Sequence, residues 1–218
     1  MKIALLIEFK DGEIKPASLG PLTAAAGEGN ERIALACGPD AEAHREKLAE
    51  YGADRVIGLP EAHTAAAQAE VIVQAMNELG VEVLMGLSTP AGRDLLPRVA
   101  ASLDAPLVMN CVTVDPAERR AKAYQYSGKT LATLRLTGSH QIYGLRPKVI
   151  AAKPDPAAGD FTSIDTEAHN NPGTELVELQ AGAGTGVDLS EADIIISGGR
   201  GLKNGENFQL LHDCAAPL

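Results

Sequence analysis

The sequence predicts an α/β fold: a mostly parallel, doubly wound sheet extended by antiparallel strands, followed by the first βα unit of a second nucleotide-binding domain. Three observations carry this. Over residues 1 to 103, apolar runs of strand length alternate with amphipathic stretches of helical length, the pattern of a parallel sheet with helices on both faces. From Pro106 to Ala152 the pattern becomes strand-like segments joined by short turns, as in hairpins. Finally, "IIISGGRGLKNGENFQLL" (194–211) reads as strand, glycine turn and helix, which opens a dinucleotide-binding unit. The expected organisation is an α/β domain over 1–152, a linking segment over 153–190, and an incomplete second unit over 191–218.

In order, Lys2 to Phe9 form a near-continuous apolar run, typical of a strand covered on both faces. "DGEIKP" is a turn. Ser18 is placed to cap a short helix through Ala26, with Pro21 in its first turn, where a missing N–H is tolerated. Arg32 to Ala36 read as a strand, and Asp40 to Tyr51 as an amphipathic helix stopped by Gly52. Arg55 to Ile57 make a third strand, Thr64 to Leu79 a helix ended by Gly80, and Glu82 to Leu87 a fourth strand. A helix then runs from about Gly92 to Leu103. "PLVMNCVTVD", "RAKAYQYS", "KTLATLRLTG" and "KVIAA" read as strands, with the bend of a hairpin at Gly128. "KPDPAAGD", "HNNPGTE" and "QAGAGTG" read as a linker that wraps over a surface, with one short strand at Thr174 to Leu179.

The 218 residues carry a formal net charge of −10 and 3% aromatic residues. Phosphate backbones attract basic surfaces, so this balance argues against nonspecific nucleic-acid binding. Few rings are available to stack on a flat ligand. Cys37, Cys111 and Cys214 are widely separated and odd in number, which points to a reducing, cytoplasmic setting rather than a disulfide framework. The first apolar run is ended by Glu8 too early for a signal peptide. No apolar stretch approaches the roughly 20 residues that span a bilayer.

Among chemistry-bearing residues, Gly198-Gly199-Arg200-Gly201 stands out. Glycines after a strand let backbone approach a phosphate, a following helix offers N–H groups, and Arg200 adds a fork of donors. The same turn is also simply a tight turn. Ser88, Thr89, Arg93 and Arg98 lie after the fourth strand, at the sheet's carboxyl end, where open α/β sheets bind ligands. A capped helix with two structural arginines explains them equally and is preferred. His44, His63, His140, His169 and His212 show no metal-ligand spacing. Ser127 and Ser139 lack the context of a nucleophile, and Lys129 lacks a phosphate-loop motif.

Taken in order, these segments resemble the alpha subunit of electron transfer flavoproteins. "DGEIKPASLGPLTAA" (11–25), "GRDLLPRVAASLDAP" (92–106), "YSGKTLATLRL" (126–136), "LRPKVIAA" (145–152) and the 194–211 stretch carry the resemblance. It implies a heterodimer with a beta subunit, taking electrons from flavin dehydrogenases to a quinone oxidoreductase or another acceptor. It implies FAD as the redox group, held in a second domain, with Arg200 of the GGRG turn as a ligand flanked by Gly199 and Gly201. It also implies that the first domain is not itself the nucleotide site. Family members continue through further flavin-contacting segments, so this stretch is expected to hold an unfinished flavin domain that binds essentially no FAD alone. No catalytic constellation is visible, in keeping with an electron carrier rather than an enzyme. Two other readings remain: a stand-alone adenine-nucleotide-binding α/β domain with phosphate at Ser88 to Arg93, and a scaffold that docks on a beta subunit.

Overall fold

The computed structural model describes residues 1–38, 40–166, 177–178, 189 and 192–217. The chain divides into two compact units, Met1–Gln180 and Ala181–Leu218.

The first unit is built on β1 (Lys2–Ile7), buried from Ile3 onward. Ile3, Leu5 and Ile7 join one apolar cluster, while Ala4 and Leu6 join another, because successive strand side chains point to opposite faces. A strand buried on both faces requires cover on both. A small antiparallel pair follows, β2 (Phe9–Lys10) and β3 (Glu13–Ile14), turning at Asp11 and Gly12, both with positive φ. A 3-10 turn over Pro16–Leu19 leads into α1 (Gly20–Ala24). Ser18, expected as its cap, instead accepts a hydrogen bond from the Glu8 N–H at 3.0 Å.

Next come β4 (Glu31–Cys37), a 3-10 turn over Ala41–His44, α2 (Arg45–Glu50) and β5 (Arg55–Leu59). The expected helix over Asp40–Tyr51 is thus split in two. α3 (Ala65–Leu79) is capped by Thr64, whose hydroxyl accepts from the Ala67 N–H, and is stopped by left-handed Gly80. After β6 (Val83–Leu87), α4 (Pro90–Ser102) is capped by Thr89. α1 and α2 cover the face carrying Leu5, and α3 and α4 cover the face carrying Leu6.

The remaining strands are β7 (Leu107–Asp115), β8 (Arg120–Gln125), β9 (Thr130–Arg135), β10 (Gln141–Leu145) and β11 (Asp160–Ser163). One sheet of nine strands has the order β11-β5-β4-β1-β6-β10-β7-β8-β9. Every neighbouring pair from β11 to β7 is parallel, and β7-β8-β9 is antiparallel. The mostly parallel sheet with an antiparallel extension is therefore the fold.

Several segments depart from the strands read in the sequence. Lys148 to Ala152 form no strand. Ile150 and Ala152 pack on the α1 side of the core, and the Ile150 carbonyl sits 2.5 Å from where a Cβ on Gly20 would be. The strand in this region is β10, which is parallel to both neighbours and buried throughout. Its polar residue is satisfied internally, because the Tyr143 hydroxyl donates to Gln141 Oε1 at 2.7 Å.

Residues 153–166 run against the first unit. Lys153 N–H donates to Thr23 Oγ1, Asp155 N–H to the Glu50 carbonyl, Ala157 N–H to Ala49 and Gly159 N–H to Ala53. β11 then pairs along β5. Asp155 also meets Arg32 at 2.7 Å, while Asp54 lies 3.8 Å from the same guanidinium group. Arg32 is buried. Asp155→Ala is expected to cost about 1–2 kcal/mol, less than a fully buried pair because Asp155 is 58% exposed. Chemical denaturation checks the magnitude, and faster amide exchange at Phe161 and Ser163 checks the location. The strand expected at Thr174 to Leu179 falls mainly outside the described residues.

In the second unit, a 3-10 turn over Arg200–Leu202 is followed by another over Gly205–Phe208 and by α5 (Gln209–Ala215). Ile194 to Ile196, expected as a strand, form no ladder, since no described segment of that unit offers one a partner. Phe208 is 43% exposed.

Candidate functional site

In an open α/β sheet, the ligand crevice lies where strand order reverses, beyond the strands' carboxyl ends. Here the chain steps from β1 to β4 and β5 on one side and places β6 on the other. The crevice therefore opens between Glu8, which follows β1, and Ser88 and Thr89, which follow β6. The chain's own groups meet across it, beside a cavity of about 240 Å³ lined in part by Glu8, Lys15 and Gly92. Thr89 Oγ1 donates to the Glu8 carboxylate and accepts from Gly92 N–H at 3.0 Å. Lys15 Nζ reaches the other Glu8 oxygen at 3.0 Å. Glu8 is thus an internal anion at the first turn of α4, where a ligand's phosphate would otherwise sit. Spacing gave no hint of it, because Glu8, Lys15 and Thr89 meet only through the topology.

The other residues of this stretch also have structural partners. Ser88 Oγ accepts from Asn110 N–H at 2.9 Å. Arg93 Nε donates to the Ser88 carbonyl at 3.1 Å and its Nη2 to Asn110 Oδ1 at 2.9 Å. Arg98 pairs with Asp94 one helical turn away at 2.9 Å. The capped-helix reading of Ser88 to Arg98 describes these contacts.

The glycine turn has a different character. A Cβ on Gly198 would lie 2.3 Å from Leu202 and 2.9 Å from Leu211, so Gly198 lets the turn close on α5. Gly199 and Gly201 have nothing within 4 Å of a Cβ position. Arg200 is exposed, and its guanidinium group has no partner among the described residues. The turn does not lead straight into an α-helix, since α5 begins only at Gln209. A helix N-terminus therefore does not follow Gly201 directly. The turn offers open backbone and one free fork of donors, an arrangement suited to an anionic group.

The thiols are differentiated by burial. Cys111 is fully buried and Cys37 half-buried, and both are pushed up to about 12. Burial is the main cause in each, with the Glu61 charge adding to it at Cys37. Cys214 is exposed. Among the described residues, no group of His, Cys, Asp and Glu is placed to hold a metal ion, and no helix is long and apolar enough to cross a membrane.

A family model described as the electron transfer flavoprotein domain matches residues 3–169. The electron transfer flavoprotein subunit alpha of Bacillus subtilis is 29% identical, covering 100% of this chain and 70% of its own length. A protein named FixB from Clostridium saccharobutylicum is 32% identical, covering 97% of this chain and 67% of its own. The alpha subunit of Pseudomonas aeruginosa is 27% identical, with 100% and 71% covered. The chain spans about two thirds of the length of these relatives. With the family model matching most of the chain, and with relatives named as alpha subunits aligned along nearly all of it, the chain belongs to the electron transfer flavoprotein family.

Proposed function

We propose that the chain serves as the alpha subunit of an electron carrier. In this reading it works in the cytoplasm, docks on a beta subunit, and passes electrons from flavin dehydrogenases to a quinone oxidoreductase or another acceptor. It is a carrier rather than a substrate-converting enzyme. FAD, when bound, supplies the redox chemistry, and the protein's part is to hold, orient and tune it. The observation that carries the reading is the glycine turn in the second unit. Arg200 presents an unpartnered guanidinium group between Gly199 and Gly201, where backbone is open to close approach. That fits the pyrophosphate of a dinucleotide. The described residues of the unit place no set of rings for the flavin itself.

The 218 residues alone are expected to bind FAD worse than micromolar. One charged hydrogen-bonding group contributes about 1.5–3 kcal/mol, whereas a micromolar complex needs about 8 kcal/mol. The remaining contacts belong, in this reading, to the part of the relatives that this chain does not span. The test is an FAD titration, followed by flavin fluorescence, on a protein of the relatives' full length paired with its beta subunit. Arg200→Ala should weaken binding about tenfold or more. Unchanged affinity would remove Arg200 from the site, and tight binding by the 218 residues alone would overturn the division of contacts.

A further inference from the structure

A second cavity in the first unit lies at the carboxyl end of β10 and β6. It has a volume of about 430 Å³ and is lined by Ser88, Arg93, Asn110, Tyr124, Ser127 and Arg146, with Gly128 and Pro147 at its margin. Arg93 and Arg146 both line it, and no carboxylate does. That is unusual in a chain with a net charge of −10, and another cavity of the same unit is lined by Asp11, Asp40 and Glu61.

The cavity is built rather than incidental. The register of β10 against β7 shifts between Tyr143 and Leu145, which marks a bulge in β7. Asn110, in the bulge, takes a left-handed conformation with φ 57°, uncommon for a residue other than glycine. Bulges re-aim side chains, and here Asn110 Oδ1 and the Ser88 carbonyl hold Arg93 through Nη2 and Nε. Nη1 of Arg93 is left uncommitted. Arg146 is fixed at its backbone, where its N–H donates to the Cys111 carbonyl at 2.9 Å. Its guanidinium group has no partner among the described residues.

We propose that this cavity is a phosphate site, taking the phosphate or pyrophosphate group of a small molecule. The donor count decides the class. Arg146 brings five N–H donors and Arg93 its remaining ones, and the Ser88, Ser127 and Tyr124 hydroxyls can add more. A carboxylate presents two oxygens, whereas a phosphate presents three or four and takes up more of these donors. Tyr124, half-exposed at the rim, offers a ring face to an organic group carried by the phosphate. The site lies in the first unit and does not depend on the flavin assignment.

Calorimetric titration of the 218-residue chain with inorganic pyrophosphate tests this. Binding with a dissociation constant below about 1 mM is expected. Arg146→Gln should weaken it at least about tenfold, and Arg146→Lys, which keeps the charge and loses the fork, should fall between. Arg93→Gln should weaken it similarly. Arg98→Gln, on the same helix but paired with Asp94, should leave it unchanged. Because Arg93 also braces β7, Arg146 is the deciding position. Tighter binding of phenyl phosphate than of inorganic phosphate would support an organic ester as the source, and equal binding would support the free ion. Absence of pyrophosphate binding, an equal affinity for citrate, insensitivity to Arg146→Gln, or binding of a polyglutamate peptide in place of pyrophosphate would each overturn the proposal.

Discussion

Gly92→Ala is expected to destabilise the first unit by about 3–5 kcal/mol, near the upper end for a single substitution. A Cβ at this position would lie 1.9 Å from the Leu87 carbonyl oxygen and 3.1 Å from its carbon. Neither is the end of a side chain that can swing away. Leu87 ends β6, paired in register with Leu145 of β10 inside the sheet. The helix must therefore lift off the strand. Lifting α4 breaks the Thr89 cap on Gly92 and withdraws Leu96 and Val99, both fully buried, from the core. Gly199→Ala and Gly201→Ala serve as controls, because open space surrounds their Cβ positions; they should change stability by less than about 0.5 kcal/mol. Urea denaturation gives all three values. A loss below about 1 kcal/mol at Gly92 would show that α4 is not seated on β6 as described.

Between pH 9 and 12 the first unit should lose stability steeply, and Cys111 should be a principal cause. Its thiol is pushed up from an ordinary 9.0 to about 12 in the fold, because burial penalises the thiolate. Below pH 9 the thiol is protonated in both states and its contribution to stability is fully present. As pH climbs through this window the unfolded chain sheds the proton and the folded chain keeps it. Stability then falls with pH, by about 4 kcal/mol for this group over the window. Tyr143, buried beside it, is also shifted upward, chiefly by burial and next by Cys111, so the loss continues on the same side. Comparing the melting temperature of Cys111→Ala with that of the parent across pH 8 to 11 isolates the thiol. The variant starts lower because a buried sulfur is gone, and the gap should narrow as pH rises. A constant gap would mean that the thiol titrates normally.

What was legible in the sequence was whatever rested on an uninterrupted period. Ala65–Leu79 is an unbroken amphipathic run between Thr64 and Gly80, and its boundaries follow from a cap and a left-handed stop. β1 from Ile3 and β4 from Ile33 are apolar because both faces are covered. β10 was hidden because Gln141, Tyr143 and Gly144 interrupt the apolar run, and only the fold supplies Tyr143 as the partner that admits Gln141 to the interior. "KVIAA" has strand composition, yet its apolar residues reach the core beside α1 without a ladder. Gly199, Arg200 and Gly201 are neighbours in the chain, so their grouping was readable directly. Glu8 with Thr89, and Arg93 with Arg146, are brought together by strand order, and no spacing rule reaches across so many residues.

β11 has a consequence for how the chain is made. It completes the sheet beside β5, yet the two strands lie about a hundred residues apart. At the usual pace of synthesis, roughly 5–20 residues per second, the backbone groups along one side of β5 wait on the order of 5–20 s for their partner. During that interval a nascent chain presents a strand edge of high apolar content to whatever is nearby. A factor that shields nascent sheet edges should therefore raise the yield of this protein more than it slows its folding, and the benefit should vanish once Ser163 has cleared the ribosome.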